Sequence, residues 1–502
     1  MEILSWILVA FSPENLILAL VGTVIGIAVG ALPGFTPTMG IAVLIPLTYG
    51  LNPTTGLIFL GAIYCGAMYG GSISAILVNT PGTAAAAATS MDGYAMTLKG
   101  RSHEALVEAA VASFWGGVLS VVALLFMAPP LARFAFRFGP QEKFMMAMFG
   151  LTIIASLSTK AIVKGLIAGL FGLALACVGM DPISGYTRFN FGSTFLVGGI
   201  SLIPAVIGLF SMSQVLVMIA KNNQAADLSN VAKVGKSGVK FADLVRYPFV
   251  YLRSAMIGIV VGIIPGTGGD VASYVSHNIG KFFYKGDEYD SEFGDGAREG
   301  VACCESANNA VTGGTLIPTL TLGIPGNATT AILMGGLMIH GLTPGYALFT
   351  AQRGIIYPFI FALFIANVMM LLIGLFGAKH FAKLTRTPVN ILAACVMSLS
   401  IMGSYAIHSS ASDVMLMFVF GVIGYVFKIY KYNVVPIVLG LILGPIAEAG
   451  FSQAMILNGN SFMRTFGTFF TRPICIVFML MMAAALIFPF YSERKKKTVK
   501  AV

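Results

Sequence analysis

Two stretches of nine residues decide how this chain folds: GIAVGALPG at residues 26–34 and GIVVGIIPG at residues 258–266. Each is an apolar run that stops on Pro-Gly. Proline lacks an amide proton and glycine is conformationally loose, so neither run continues as a regular helix through the pair. The setting makes the breaks costly. Of 502 residues, 57% are hydrophobic and 10% charged, and the mean hydropathy is +0.88. A soluble domain carries about a quarter charged residues. The composition therefore predicts an all-α polytopic membrane protein, long enough for about a dozen spans.

The net charge of +10 fits basic cytoplasmic loops and does not call for nucleic acid. The six cysteines lie in or beside apolar stretches without a CxxC, and are read as packing residues rather than metal ligands. The opening MEILSWILVAFSPENL has no basic n-region, and the first Lys or Arg is Lys99. A cleaved signal peptide is not expected, and the first helix is read as retained.

The nonamer is one of five matches that recur in the same order at offsets of roughly 230–250 residues. GGSISAILVNTPG (70–82) matches GGTLIPTLTLGIPG (313–326). GYAM (93–96) matches GYAL (345–348), GLFG (169–172) matches GVIG (421–424), and IPAVIGLFSMSQ (203–214) matches GPIAEAGFSQ (444–453). The chain reads as two copies of one unit. The boundaries are 1–220, a basic linker at 221–249, 250–456, and a further helix with a basic tail at 457–502. Linker and tail are rich in Lys and Arg and are expected in the cytoplasm, the C-terminus with them. With one extra helix after the second copy, each copy crosses an odd number of times. That predicts two inverted-topology repeats with re-entrant helical hairpins.

Broken helices at membrane depth expose backbone groups that protein or water must satisfy. Gly/Pro interruptions at matching places in two halves point to a transporter binding site. Here they are Pro33-Gly34 with Pro265-Gly266, and Pro81-Gly82 with Pro325-Gly326. Small polar residues able to cap a new helix follow or flank each one. Free N–H groups at a helix start suit a carboxylate, and carbonyls at the preceding helix end suit Na+. Pro-Gly pairs also make plain kinks and turns, and the repeated register is what favours a site.

Asp270, Tyr274 and His277 share a helical face by spacing, and Asp270 is a candidate cation ligand. His277 either carries protons or, lying near the polar loop that begins around Lys281, is simply in contact with water. Glu305, Ser306, Asn308 and Asn309 form a polar cluster that either lines a cavity or caps a helix. Asp413 and Glu448 are expected to satisfy local helix ends. YKGDEYDSEFGDGAREG (284–300) reads as a solvated loop. There is no P-loop and no HExxH, so neither an ATPase subunit nor an enzyme is expected.

These motifs resemble the TctA family, the large membrane subunit of tripartite tricarboxylate transporters. The resemblance rests on GALPGFTPTMGIAVLIPLTY (30–49), YGGSISAILVNTPG (69–82), GIIPGTGGDVASYVSH (262–277), ESANNAVTGGTLIPTLTLGIPG (305–326) and HGLTPG (340–345). It implies import of a carboxylate, such as citrate, another tricarboxylate or a dicarboxylate, across the bacterial inner membrane. It implies a periplasmic substrate-binding protein (TctC-like), a small membrane subunit (TctB-like), Na+ as coupling ion with no other cofactor, and an elevator-type movement. The transport elements would be about 30–100 and 262–348. From the breaks, the substrate candidates are Asn79, Thr80, Gly82, Thr83, Gly326, Asn327 and Thr329. The Na+ candidates are Pro33, Gly34, Thr36, Pro265, Gly266, Thr267 and Asp270. A stand-alone carboxylate carrier, or a channel or scaffold, would carry the same breaks.

Overall fold

The computed structural model describes residues 2–499, apart from 33, 158–161, 182, 221–240, 288, 290 and 385–386. Pro33 and most of the basic linker therefore lie outside the described residues. The first part of the chain forms α1 (Glu2–Ala10), α2 (Pro13–Ala31), α3 (Pro37–Leu44), α4 (Pro53–Val78), α5 (Ala86–Leu98), α6 (Ser102–Ala135), α7 (Pro140–Leu157), α8 (Ile162–Ala176), α9 (Leu202–Ile207) and α10 (Ser213–Ala220). After the linker come α11 (Pro248–Ile263), α12 (Gly269–Phe283), α13 (Arg298–Leu322), α14 (Ala328–Ile339), α15 (Tyr346–Thr350), α16 (Arg353–Leu384), α17 (Val389–His408), α18 (Ala411–Ile429), α19 (Val435–Leu457), α20 (Phe462–Thr471) and α21 (Pro473–Val499). Strands β1 (Gly179–Met180) and β2 (Thr187–Arg188) form a short antiparallel pair.

Proline starts several of these helices. Pro13, Pro37, Pro53 and Pro248 occupy the first turn, where a missing N–H leaves no bond unmade. Glycine sets how they pack. A Cβ on Gly22 would stand 2.7 Å from the Phe59 carbonyl oxygen, and one on Gly66 would stand 2.5 Å from that of Thr23. A Cβ on Gly26 would overlap the Ile63 carbonyl, and one on Gly258 the Ala307 carbonyl. Thus α2 lies against α4, and α11 against α13, at backbone distance. In lipid, where apolar burial does not distinguish protein from solvent, such close approach is a main source of helix association. The glycines of both nonamers thus have a second role that their spacing of four residues foreshadows.

Eight described helices are long and apolar enough to cross a membrane, or nine with the pair Phe462–Thr471 and Pro473–Ile487, which bends by 85°. The composition led us to expect about a dozen. The difference has a physical cause. The breaks cut the chain into half-helices too short to span, as in α3 and α14, and α13 carries too many polar side chains to count as apolar.

Two compact units emerge, each assembled from both sequence halves: 1–132 with 215–407, and 133–214 with 408–502. The first contains α2–α5 and α11–α14. Its core is built on Ile27, Tyr69, Ile73, Ile76, Tyr251 and Met370. In the second, α19 packs on α7 and α8, and Gly440 meets Gly172 so closely that a Cβ would stand 2.5 Å from its carbonyl carbon. Arg472 reaches both Glu142 oxygens at 2.9 and 3.0 Å. Arg188 bridges Asp181 (3.4 Å) and Glu448. Glu448 therefore pairs outside its own helix, contrary to the helix-end role expected of it. Asp413 does sit in the first turn of α18, bonded to His408 at 2.6 Å.

Candidate functional site

The breaks in the first unit come in two matched pairs. Helix α2 ends at Leu32 and α11 at Ile264, both extended, with ψ 119° and 113°. Each precedes a proline, which disfavours helical geometry in the residue before it. Gly34 and Gly266 then both take φ +82°, a conformation glycine adopts at no steric cost. The second breaks use another device. Helix α4 ends on Asn79 (φ 51°) and α13 on Gly323 (φ 68°), both left-handed caps, with a proline two residues further on.

The four half-helices that follow meet at their N-terminal ends. Thr38 of α3 and Thr329 of α14 share a hydrogen bond of 3.0 Å. A Cβ on Gly269, the first residue of α12, would stand 3.0 Å from that of Ala85, which caps α5. The Gly266 amide donates to the Gly326 carbonyl at 2.8 Å. A Cβ on Gly82 would overlap the Gly30 carbonyl oxygen. First and second breaks thus touch within each half, and the first break of each half meets the second break of the other. Four helix starts converge, each with the partial positive charge of its free N–H groups.

Local caps prepare them. Thr36 accepts from the Met39 amide (3.3 Å) and Thr83 from that of Ala86 (3.2 Å). Asn327 and Thr330 form a reciprocal capping box. Asn327 also donates to the Tyr64 hydroxyl at 2.8 Å, and Tyr64 contacts Thr315 at 3.2 Å. Of the sequence candidates, Gly326, Asn327, Thr329, Gly266, Gly82 and Thr83 belong to this junction. Asn79, Gly34 and Asp270 are exposed. The Thr267 hydroxyl donates to the Val261 and Ile264 carbonyls at the end of α11. Thr38 stands out in the sequence only as a small polar residue after the first break, and Tyr64 and Thr315 do not stand out at all. Their partners lie more than 250 residues away in the chain, so nothing local marks these contacts.

His277 differs from expectation. It is buried, with Nε2 2.8 Å from Asp92 Oδ2, while Asp270 and Tyr274 are exposed. The expected common face of Asp270, Tyr274 and His277 is thus divided, because Asp92 on α5 draws the imidazole inward. Asp92 Oδ1 also accepts the amides of Gly294 (2.8 Å), Gly296 (3.0 Å) and Ala297 (2.9 Å). The charged loop is therefore docked rather than merely solvated, with Phe293 buried 4.7 Å from the His277 ring. At the start of α13, Arg298 reaches Glu108 (2.7 Å) and Asp243 (2.9 Å), and Tyr251 donates to Glu108 at 2.7 Å. The cluster around Glu305 lies in the interior of α13 and caps nothing. The cysteines are free, and four of the six are buried; Cys395 is exposed.

An all-α, multi-pass membrane protein whose broken helices meet in one unit defines the class: a membrane transport component. Residues 16–439 match the family described as "Tripartite tricarboxylate transporter TctA family", a transporter family rather than an enzyme family. The chain belongs to this family. It is 34% identical over 491 residues, 98% of this chain and 96% of the relative, to an uncharacterized 52.8 kDa protein of the TAR-I ttuC′ 3′ region of Agrobacterium vitis. A protein of the TAR-II ttuC′ 3′ region of the same organism is 34% identical over 201 residues, 40% of this chain and 82% of that protein. No solved structure matches significantly.

Proposed function

We propose that the chain is the large membrane subunit of a tripartite, binding-protein-dependent secondary transporter of the bacterial inner membrane. It imports a carboxylate, a tricarboxylate such as citrate or a dicarboxylate, together with Na+. A periplasmic TctC-like protein delivers the substrate and a TctB-like membrane subunit accompanies the chain. The observation that carries this reading is the meeting of four half-helix starts around Gly82, Gly266, Gly326 and Thr329. Those N–H groups attract an anion without a buried Lys or Arg. The substrate contacts are Asn79, Thr80, Gly82, Thr83, Gly326, Asn327 and Thr329. Na+ is held by Pro33, Gly34, Thr36, Pro265, Gly266, Thr267 and Asp270.

The matched breaks support two inverted repeats. The gathering of 30–100 and 262–348 in one compact unit supports an elevator-type movement of these elements. The C-terminus lies in the cytoplasm, following its basic tail. The test is uptake of labelled di- and tricarboxylates into proteoliposomes that hold the chain with both partners. Saturable uptake that needs the Na+ gradient and the binding protein is expected. Uptake without the binding protein would instead make the chain a stand-alone carrier, and unsaturable ion conduction would make it a channel.

A further inference from the structure

Among the described residues five carboxylates are buried: Asp92, Glu108, Glu142, Glu305 and Asp413. Four face a basic side chain. Asp92 meets His277, Glu108 meets Arg298, Glu142 meets Arg472 and Asp413 meets His408. Glu305 is the exception. It lies midway along α13, is 0% exposed, and the groups that reach it are neutral: Thr89 on Oε1, Ser113 on Oε2 at 3.1 Å, with Ser72 and Asn308 alongside. An ionised carboxylate in such a place is costly, so either a proton neutralises it or a cation accompanies it.

The neighbours indicate which one. Asn308 and Asn309 stand three and four residues on, on the same helical face as Glu305. Both are fully buried. Their nitrogens are used: Asn308 Nδ2 donates to the Met68 carbonyl (3.2 Å), and Asn309 Nδ2 to Ser113 Oγ (2.7 Å) and the Glu305 carbonyl (3.3 Å). Their side-chain oxygens, Asn308 Oδ1 and Asn309 Oδ1, have no hydrogen-bond donor. Asn309 is tied to the carboxylate itself, because Ser113 accepts from Asn309 and donates to Glu305. Asn308 Oδ1 is directed at Gly269, where a Cβ would stand 2.5 Å from it. That glycine begins α12, directly after the Pro265-Gly266 break. A proton on Glu305 supplies a single donor and leaves at least one of the two amide oxygens unmet. A hard cation takes several oxygens at once and neutralises the carboxylate.

We propose that Glu305, Asn308 and Asn309 form a Na+ site inside the first unit, additional to the break-associated ion site and adjoining the junction through Asn308 and Gly269. Ser72, Thr89 and Ser113 orient the carboxylate. That this ion is one of those driving uptake rests on the transporter reading above; its binding does not.

The test is Na+ titration of the purified full chain against choline at constant ionic strength, read by calorimetry and thermal unfolding. Wild type is expected to bind and be stabilised by Na+. Glu305→Gln keeps the shape and one acceptor oxygen while removing the charge, and is expected to weaken Na+ binding on the order of tenfold or more. Asn309→Ala, which leaves the carboxylate in place, is expected to weaken it in the same direction and guards against a folding defect in the first variant. Proton release on Na+ addition is followed with an indicator dye. Na+ affinity unchanged in both variants, or a wild type that takes up a proton at Glu305 and ignores Na+, would overturn the site. Uptake in the reconstituted system separates the two readings. Na+ binding that depends on Glu305 without Na+-driven uptake would leave the site and remove the coupling. Na+-driven uptake in which Glu305→Gln has wild-type Na+ dependence would do the reverse.

Discussion

The Gly266 amide donates to the Gly326 carbonyl across 2.8 Å, so the two breaks of the second half meet backbone to backbone. The junction therefore tolerates no bulk where chain meets chain. A Cβ on Gly326 would stand 2.7 Å from the Thr315 Cα, and one on Gly82 would overlap the Gly30 carbonyl. Gly326→Ala and Gly82→Ala are expected to cost about 1–3 kcal/mol each and to abolish uptake. Gly34→Ala is the milder comparison. Its Cβ would meet nothing within 4 Å, but φ is +82°, a strain of about 1–2 kcal/mol. Thermal unfolding of the three purified variants checks the order. Equal melting points for all three would contradict the close approach.

Asn327 combines two duties that substitution can separate. Its oxygen caps α14 at the Thr330 amide (2.9 Å), and its nitrogen donates to Tyr64 (2.8 Å). Asn327→Ala loses both, with about 1 kcal/mol from the cap. Asn327→Asp retains the capping oxygen, loses the donor and adds a negative charge where an anion is proposed to sit. It is expected to melt close to wild type yet lose substrate affinity more severely than the alanine variant. An aspartate variant that transports normally would remove Asn327 from the substrate contacts.

Asn79 invites the complementary test. Its φ of 51° is left-handed, so Asn79→Ala mixes backbone strain with the loss of a side chain. Asn79→Gly relieves the backbone and deletes only the amide. If the side chain touches substrate, the glycine variant folds normally and its KM rises. An unchanged KM would make Asn79 a cap and nothing more.

Much of this was legible in the sequence because it depends on local chemistry. Pro-Gly after an apolar run predicts a break wherever it stands, and the repeated register picked out the two pairs. The long helices followed from hydropathy. What was not legible depends on residues far apart in the chain. Nothing near Tyr64 announces Asn327, and nothing near His277 announces Asp92. Helix periodicity placed His277 with Asp270 and Tyr274, but a partner on α5 decides which way an imidazole turns. That the glycines of the nonamers bring helix against helix shows only in the packed structure, where α2 lies against α4.

The pair Arg298–Glu108 offers a test of packing rather than transport. Both side chains are buried, 2.7 Å apart. Arg298→Ala strands the Glu108 carboxylate, also removes one partner of Asp243, and is expected to cost about 3–5 kcal/mol. Arg298→Met with Glu108→Gln removes both charges and is expected to recover a large part of that loss. Unfolding midpoints measure it. A double variant no more stable than Arg298→Ala would show that the pair contributes through shape alone.

Asp92 holds Gly294, Gly296 and Ala297 through their backbone amides, and His277 of α12 through its imidazole. Asp92→Ala leaves buried donors unmatched, at roughly 1–3 kcal/mol for each that water cannot reach. Hydrogen exchange at Gly294, Gly296 and Ala297 should quicken by at least an order of magnitude, with smaller changes in α2 and α4. Asp92→Asn, which keeps an acceptor oxygen, should lie between. Unchanged exchange in the alanine variant would mean that the segment is held by Phe293 instead.

The β1–β2 hairpin carries a pH dependence whose sign can be worked out. The Asp181 carboxylate accepts the amides of Ser184 and Ile183, both at 2.8 Å, and Arg188 lies 3.4 Å away. These bonds, the Ser184 amide foremost, hold its pKa below the ordinary carboxylate value. A group whose folded pKa is lowered stabilises the fold above its unfolded pKa, and that contribution is lost as pH falls through the folded value. The turn at 181–186 should therefore stay protected from hydrogen exchange at neutral pH and loosen only below about pH 4. Asp181→Asn cannot ionise and should show weaker protection that does not vary across the acid range. A wild-type turn whose protection is equally insensitive to acid would show that the carboxylate charge contributes nothing to holding it.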